Sequence, residues 1–571
     1  MKKNYLLIVA AFTCLIGNAN AQSPDWLWAK AIGGTGLDRG LSSAVDASGN
    51  VYTTGHFLGT VDFDPGAGTY NLTSAGLEDI FISKLDSSGN FIWAIAMGGT
   101  DADRGSSITI DASANVYTTG HFNGTADFDP GAGTFNLASA GLNDIFISKL
   151  DASGNFAGAK AMGGTSNDQG NSISIDTSGN VYSTGKFSGT VDFDPGAGTF
   201  NLTSAGGQDI FVNKLDASGN FVWAKAMGGG TIDDEGLSIA IDASANVYTT
   251  GYFKGPADFD PGAGTYNLNS VVNWYDIFIS KLDSSGNFIW AKAMGGGATD
   301  FGHSIAIDAS QNVYTTGYFY GTADFDPGAG TYNLTSAATI QDIFVSKLDA
   351  SGNFAWAKAI SGTGYDEGYS IAVDASANVY TTGKFTGTSD FDPGAGTFNL
   401  TSAGGSDVFI SKLDVSGNFV WAKSAGGTDA DAGLSLALAT SGNILVTGVF
   451  RSPSIAFSLT TLTNAGNFDI FIAKLDTLSI PTTNNEIENF GNSILLFPNP
   501  AMRTISFNTN GYTGNLHLQV INMLGQKIIS ENVKLNGEDT YTIDVSNLPQ
   551  GIYMLILLND LELNGGSFMK E

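Results

Sequence analysis

The sequence predicts an all-β chain: a seven-bladed β-propeller closed by an N-terminal strand, then a small C-terminal β-sandwich-like domain. Three observations point there. One motif set recurs seven times at a spacing of about 65 residues, and self-similarity at a fixed period means units that bury their apolar faces only against their neighbours. Each copy holds four short strand-like segments separated by turn residues. The two ends of the repeat region each lack what the other supplies.

The hexapeptide Asp-Ile-Phe-Ile-Ser-Lys, or a close variant, begins at Asp79, Asp144, Asp209, Asp276, Asp342, Asp407 and Asp469. The Asn-Val-Tyr-Thr-Thr-Gly segment begins at Asn50, Asn115, Asn180, Asn246, Asn312, Asn378 and, as Asn-Ile-Leu-Val-Thr-Gly, at Asn443. Trp-Ala-Lys or a variant begins at Trp28, Trp93, Gly158, Trp223, Trp290, Trp356 and Trp421. Within one copy, Ser238–Asp242 alternates as a first strand and Ala243–Asn246 is a tight turn. Val247–Gly251 is the second strand. A long excursion follows, with Ala257-Asp-Phe-Asp-Pro-Gly-Ala-Gly264. Asp276–Leu282 is the third strand, Ser284–Asn287 another turn, and Phe288–Lys292 the fourth. Asp-x-Ser-Gly-Asn turns suit hairpins, because Asp and Asn bond the local backbone and Gly accepts positive φ. Four strands in each of seven units fit a seven-bladed propeller; a solenoid of the same units is the rival.

The ends favour a ring. The chain enters the repeats on a fourth strand, Trp26-Leu-Trp-Ala-Lys-Ala-Ile32, and leaves them on a third, Ile470-Phe-Ile-Ala-Lys-Leu475. Pairing the two would complete the seventh blade and remove the exposed edges of an open array. If the Trp-Ala-Lys strand is outermost, the first strands line the channel. Both short hairpin turns then share one face. The other face collects the Gly-Gly-Thr crossovers and the long excursions, and function usually sits on long loops held by a rigid scaffold.

Composition narrows the class. Charged residues are 14% and glycines number 75, with a formal net charge of −30. Such a chain repels phosphate backbones, so nucleic acid is excluded as a partner. The first 21 residues read as a signal peptide: Lys2 and Lys3, the apolar run Leu6–Ile16, and Ala19-Asn20-Ala21 before Gln22. The single cysteine, Cys14, lies inside that run. A lipoprotein reading of Cys14 places it too early, after Phe12-Thr13. The mature chain is then expected to hold neither disulfides nor thiol chemistry, and no later apolar run approaches the roughly 18 residues of a membrane helix. The propeller is assigned to 22–476, a linker to 477–493, and a separate β-domain to 494–571. Its strands are expected near Ile505–Phe507, Leu516–Ile521, Tyr541–Val545 and Ile552–Leu558, with turns at Gly525 and Pro549-Gln-Gly551.

Ser48-Gly-Asn-Val-Tyr-Thr-Thr-Gly55 and Ser178-Gly-Asn-Val-Tyr-Ser-Thr-Gly185 resemble the hallmark of the bacterial SBBP β-propeller repeats, a likeness covering about residues 26–476. The last unit departs from it at Ile444-Leu445-Val446. That family is not tied to one activity, so the resemblance implies a fold more than a function. Leu496-Phe-Pro-Asn-Pro-Ala501, Val520-Ile-Asn-Met-Leu-Gly-Gln-Lys527, Leu548-Pro-Gln-Gly-Ile-Tyr553 and Phe568-Met569-Lys570 resemble the C-terminal sorting domain of the type IX secretion system of Bacteroidetes; the Glu571 ending departs slightly from its usual basic finish. That resemblance implies the secretion machinery as a partner through 494–571, and a product released or attached at the outer-membrane surface.

Three sets of residues carry candidate chemistry. Asp-Phe-Asp-Pro-Gly places paired carboxylates at Asp62 and Asp64, Asp127 and Asp129, Asp192 and Asp194, Asp258 and Asp260, Asp324 and Asp326, and Asp390 and Asp392. Residues i and i+2 of a strand share a face, and two carboxylates with loop carbonyls suit Ca²⁺, which takes six to eight oxygens. The plainer reading is a turn in which Asp accepts from backbone N–H groups. Paired carboxylates also serve glycoside hydrolysis, but a catalytic pair is normally unique in its chain. The second set is the Asp of Asp-x-Gly, at Asp38, Asp103, Asp168, Asp234, Asp300, Asp366 and Asp431, read as caps of the crossovers. The third is the variable residues inside the copied framework. After the Asp come Arg39, Arg104, Gln169, Glu235, Phe301, Glu367 and Ala432. After the Thr-Gly strand come His56, His121, Lys186, Tyr252, Tyr318, Lys384 and Val449. These are the ligand-face candidates. The histidines His56, His121, His303 and His517 show no metal-binding spacing, and the repeated Trp is expected to pack between blades rather than stack on sugars. No Ser-His-Asp order, phosphate loop or Cys/His cluster appears. The expected role is non-catalytic binding or display at the cell surface, as an adhesin or glycan binder with a glycan or protein ligand. The other class considered is a polysaccharide-degrading hydrolase or lyase on the long-loop face.

Overall fold

The computed structural model describes residues 24–476, except 231, 338, 339 and 459, and residues 496–570, except 510–512, 523–526, 537–539 and 559–562. The expected signal peptide with Cys14, the linker at 477–493 and the turn at Gly525 lie outside the described residues. The chain divides into two compact units, Met1–Ser479 and Ile480–Glu571. The first is all-β and propeller-like, built from repeated antiparallel sheets.

In the first repeat the strands are Arg39–Val45, Val51–Phe57, Asp79–Leu85 and Phe91–Gly99, each antiparallel to the one before. The two middle strands are buried along their whole length, because sheets of the neighbouring repeats cover both faces. This is why they read as continuous apolar and small residues rather than alternating ones. Both hairpins close as their motifs predict. Asp46 Oδ1 accepts from Ser48 N and Asn50 N, each at 2.9 Å, and Asp86 makes the same bonds to Ser88 and Asn90 at 2.8 Å.

Packing between repeats uses the repeated aromatic residues. Tyr52 meets Trp93 edge-on at 6.2 Å, and Lys84 Nζ lies 4.7 Å over the Tyr52 ring. Trp93 packs on the turn glycine of the next repeat: Gly154 has φ +85°, and a Cβ there would fall 3.1 Å from the indole. That position needs glycine for its backbone and for the indole face alike.

The first strands make a second, polar belt. Each packs against the first strand of the next repeat, and Asp431–Leu438 packs against Arg39–Val45. One serine of each accepts a backbone N–H from the next strand. Ser42 Oγ takes Ile108 N at 3.2 Å, and the series continues through Ser107, Ser172, Ser238, Ser304 and Ser370 to Ser435 Oγ, which takes Ser43 N at 3.0 Å. Asp25–Gly34 runs antiparallel to Asp469–Asp476, with Trp26 opposite Leu475 and Ile32 opposite Ile470.

One expectation is corrected. The long excursions are not loops but β-hairpins. Thr60–Asp62 pairs with Asn71–Thr73, and in the second, third and sixth repeats the hairpin continues the main strands, as in Val116–Asp127 and Asn136–Leu150. Their bases pair with the fourth strand of the preceding repeat, Gly33 with Asp62 and Gly98 with Asp127. The reason is the apolar alternation Val61-x-Phe63: both side chains are fully buried, and Phe63 meets Phe57 at 5.4 Å. The sequence reading saw the turn residues and overlooked that alternation.

The second unit is a β-sandwich. Leu496–Phe497, Thr504–Asn508 and Thr540–Asp544 form one sheet. Lys527–Asn536, Thr513–Asn522, Gly551–Leu558 and Leu563–Lys570 form the other. Ile505, Phe507, Leu518, Val520, Leu555 and Phe568 share its core. The strands Lys527–Asn536 and Leu563–Lys570 were not expected, since their polar and glycine-rich sequences hide the alternation.

Candidate functional site at the channel mouth

The two variable sets turn out to be cross-strand partners. Arg39 lies opposite His56, Arg104 opposite His121, and Gln169 opposite Lys186. Glu235 faces Tyr252, Phe301 faces Tyr318, and Glu367 faces Lys384. In the seventh repeat the pair shrinks to Ala432 and Val449. All sit where the first strand begins and the second ends, at one end of the belt of first strands.

Two further variable positions join them, both overlooked in the sequence. One lies two residues past the first set, between the Gly and Ser of the first strand, and includes Asn171, His303 and Tyr369. The other precedes the Asp of the third strand and includes Glu78, Tyr275 and Phe468. Seven-fold alignment of the copies exposes both as breaks in an otherwise copied frame.

The mouth is chemically asymmetric. In the fourth to sixth repeats the carboxylates are satisfied. Glu235 accepts from Lys186 Nζ at 3.1 Å, Asn171 Nδ2 at 2.8 Å and Tyr252 Oη. Glu367 accepts from Lys384 Nζ at 3.1 Å and Tyr369 Oη at 2.7 Å. Burial, then the adjacent carboxylate, pushes both tyrosine hydroxyls above their usual range. Aromatic rings fill the remainder: Tyr252 stacks on Phe301 at 4.0 Å and His303 on Tyr369 at 5.2 Å.

The first two repeats are cationic and under-paired. Among the described residues Arg39 makes no hydrogen bond or ion pair; its guanidinium lies 5.1 Å over Phe468. Arg104 reaches one carboxylate, Glu78, at 3.2 Å. The Nε atoms of both arginines and His56 Nδ1 are buried without a partner. Burial lowers the Arg39 pKa, and the charge of Arg104 adds to the effect. Burial, with Arg104 and Arg39 nearby, holds His56 down at about 3; burial and Arg104 hold His121 at about 4. Two guanidinium groups therefore face each other with a single counter-charge, in a chain whose net charge is −30.

The Asp-x-Gly residues are structural. Asp38 is fully buried and bridges two segments, accepting from Gly34 N at 2.7 Å and Leu58 N at 3.1 Å. Asp103, Asp168, Asp234 and Asp300 do the same, while Asp366 binds Thr386 N and the Ser389 hydroxyl.

The Asp-Phe-Asp-Pro-Gly carboxylates are the Ca²⁺ candidates. They lie at the hairpin tips, where one oxygen of each carboxylate is taken up by the turn itself. The first Asp of each pair accepts two backbone N–H groups across the tip. Asp62 Oδ1 takes Asp64 N at 3.0 Å and Tyr70 N at 2.8 Å, and Asp127, Asp192, Asp258, Asp324 and Asp390 repeat both bonds. The second Asp caps the Pro-Gly turn through the N–H two residues on. Asp64 Oδ1 takes Gly66 N at 2.8 Å, Asp129 takes Gly131 N at 2.9 Å, and Asp194 takes Gly196 N at 2.8 Å. Likewise Asp260 takes Gly262 N at 2.9 Å, Asp326 takes Gly328 N at 2.9 Å, and Asp392 takes Gly394 N at 2.8 Å. Each tip brings only its own two carboxylates, and no group of three His, Cys, Asp or Glu side chains able to hold one metal ion occurs among the described residues. Two acidic side chains already holding backbone donors fall short of the six to eight oxygens of a Ca²⁺ site. Asp64, Asp129, Asp194, Asp260, Asp326 and Asp392 each cap a turn in this way. The melting curve should be the same in EDTA and in millimolar Ca²⁺, whereas a cation bound only by the folded state would raise it.

A repeat frame of this kind defines a propeller-like β-repeat scaffold. Comparison with known proteins places the chain. Residues 162–186 and 286–321 match the model of the SBBP β-propeller repeat, and residues 495–564 match that of a secretion system C-terminal sorting domain. The chain thus carries segments of the SBBP β-propeller repeat and a C-terminal secretion sorting domain. That tail engages the secretion machinery and gives a secreted or outer-membrane surface-attached protein. No helix among the described residues is long and apolar enough to cross a membrane.

The chain is 26% identical over 570 residues to an uncharacterized WD repeat-containing protein of Acanthamoeba polyphaga mimivirus, covering 85% of this chain and 40% of that protein. It is 24% identical over 181 residues to the regulatory protein FlaEY of Caulobacter vibrioides, covering 30% of this chain and 18% of that one. It thus spans well under two thirds of the length of either relative. Among solved structures it is similar to Sqt1 of Chaetomium thermophilum, with TM-score 0.34 and 11% identity over 75% of this chain and 97% of that one. It is also similar to PorZ, an essential surface component of the type-IX secretion system of Porphyromonas gingivalis, with TM-score 0.24 and 11% identity over 95% of this chain and 100% of that one.

Proposed function

We propose that the repeats form a closed seven-bladed propeller, displayed outside the cell, that binds an anionic glycan at the channel mouth without transforming it. The under-paired arc of Arg39, Arg104, His56 and His121 carries this reading. A carboxylate or sulfate docked there would supply the counter-charge the two arginines lack, through charge-assisted hydrogen bonds of the stronger kind. The facing aromatic residues Phe301, His303 and Tyr369 offer flat apolar surface beside polar tips, which suits sugar rings. Glu235 and Glu367 are both committed to Lys and Tyr partners, which leaves neither free as an acid or a base and supports binding over hydrolysis.

The test is a glycan array probed with the repeat region, followed by titration with galacturonate oligomers, a sulfated oligosaccharide and neutral maltohexaose. Acidic oligomers should bind, and the double variant Arg39→Gln with Arg104→Gln should weaken them tenfold or more. Binding should also fall as salt rises. Equal binding of maltohexaose, unchanged in the double variant, would remove the anionic reading while leaving a glycan site. Release of reducing ends or unsaturated products would replace the binding role with catalysis.

A further inference from the structure

We propose that the cleft between the second and third repeats is a receptor site for an indole ring. The observation is a gap in the repeat pattern. Where six of the seven fourth strands carry Trp, the second repeat carries Gly158. Nothing lies within 4 Å of the position a Cβ would take there. A cleft of about 220 Å³ opens at that point, lined by Tyr117, Lys149, Gly158, Lys160, Leu215 and Gly219.

The sibling interfaces show what this surface holds. In them an indole packs on the turn glycine of the following repeat; a Cβ on Gly286 would meet Trp223 at 3.1 Å, and one on Gly417 would meet Trp356 at 3.1 Å. Its Nε1 donates to a turn carbonyl: Trp28 to Ser87 O at 3.3 Å, Trp223 to Ser284 O at 3.3 Å and Trp356 to Val415 O at 3.2 Å. The third-strand lysine donates to the same carbonyl, as Lys474 does to Ser87 O at 2.9 Å and Lys214 to Ser284 O at 3.3 Å.

At the gap the equivalent groups remain. Gly219 presents its face with φ +77°, and only the Lys160 stem lies against it, 3.2 Å from a notional Cβ. Lys149 stays over Tyr117 at 4.9 Å but makes no hydrogen bond among the described residues. The turn carbonyl equivalent to Ser87 O belongs to Ala217, a residue that also borders the cleft. An indole entering from solvent would find an apolar slot, a turn glycine to stack on, a carbonyl for its N–H and an ammonium beside its ring face. The space is ample, since an apolar cavity of roughly 150 Å³ holds benzene. The ligand is thus an indole, free or as the tryptophan side chain of a polypeptide.

The experiment titrates the full chain with indole and with N-acetyl-tryptophanamide, read by ligand-observed NMR and by a crystal soak. Indole is expected to bind with a Kd of about 1 mM or tighter, the range open to nine heavy atoms. Binding of the amide as well assigns the slot to a tryptophan side chain, and binding of indole alone to the free molecule. Gly158→Trp should fill the slot and weaken indole at least tenfold. Gly158→Leu should weaken it several-fold, which guards against misfolding of the larger variant. No binding of indole at 10 mM, or equal binding to wild type and to both variants, would overturn the proposal.

Discussion

Deleting residues 24–34 should lower the melting temperature by on the order of 10 °C and convert the monomer into aggregates or edge-paired dimers. These residues complete the sheet of the seventh repeat through the ladder from Asp25–Asp476 to Ile32–Ile470. They also reach three other places. Trp26 packs edge-on against Phe457 at 4.8 Å, Trp28 Nε1 donates to Ser87 O in the first repeat, and Lys423 of the sixth repeat binds Asp25 at 3.0 Å. Loss of the segment uncovers the buried strand Ile470–Leu475 and leaves a free apolar edge, the usual template for association. A synthetic peptide of 24–34 added in trans should restore the melting temperature. A deletion variant that stays monomeric with an unchanged melting curve would mean that the ring is held by other contacts, and the closed propeller would have to be abandoned.

The second large effect is on pH. Stability should peak near about pH 4–5 and fall by on the order of 10 °C in melting temperature by pH 8. Each junction between repeats buries two aspartates, the Asp of the third strand and the Asp-x-Gly residue. Asp276 accepts from Val271 N at 2.8 Å, yet its Oδ1 is buried with no hydrogen-bond partner. Burial, with Asp300 nearby, pushes it up to about 8. The same cause raises Asp103, Asp234, Asp300 and Asp366 to about 7, and Asp38, Asp79, Asp144, Asp168, Asp407 and Asp469 to about 6. A carboxyl with a raised folded pKa holds its proton in the native state after the unfolded chain has released it. Its stabilisation is therefore complete below about pH 4 and is lost as pH climbs through 6 to 8.

Two groups act in the opposite sense. The hairpin aspartates such as Asp46 and Asp374 are held below the usual range, chiefly by Asn side-chain and backbone bonds that outweigh burial, so their contribution is lost as pH falls below about 4. The neutral His56, His121 and His303 add stability as pH rises towards about 6.5. Asp209, Asp342 and Asp431 are raised by burial as well, so three histidines stand against fourteen raised carboxyls and the decline wins above neutrality. The sixth repeat supplies a natural control. At its junction with the fifth repeat, Ser361 of the fifth replaces the usual glycine and its hydroxyl bonds Asp342, while Ser389 Oγ donates to Asp366 at 2.6 Å. Asp276→Asn puts an amide donor where the unpartnered oxygen sits. It should stabilise the protein at pH 8 by about 1–2 kcal/mol and flatten the alkaline slope. A melting temperature flat from pH 5 to 8, or an Asn variant weaker at pH 8, would sink this account.

Much of the scaffold was legible because its signals are local. Turn chemistry such as Asp46-x-Ser48-x-Asn50 acts within five residues and behaves alike in the first six copies, the seventh having Ala439 in place of the Asp. The excursions misled because Val61 and Phe63 find their partners in other segments. The site was half legible. Arg39 and His56 stood out as irregular residues in a copied frame, but nothing in the chain says that they are cross-strand neighbours, because pairing depends on strand register. Tyr369 and Phe468 went unnoticed for the same reason.

The amino-acid sequence by itself determined the repeat count, the strand order within a unit, the β-domain at the end and the export address, since each is written in short contiguous motifs. Only the tertiary structure decided where the charge imbalance falls. It brings residues from different repeats to one mouth, leaving Arg39 and Arg104 short of counter-charge while Glu235 and Glu367 are fully paired. It likewise turned a single glycine, Gly158, into a cleft. Charge complementarity and free volume belong to neighbours in space, and the chain order of a ring gives no direct reading of who those neighbours are.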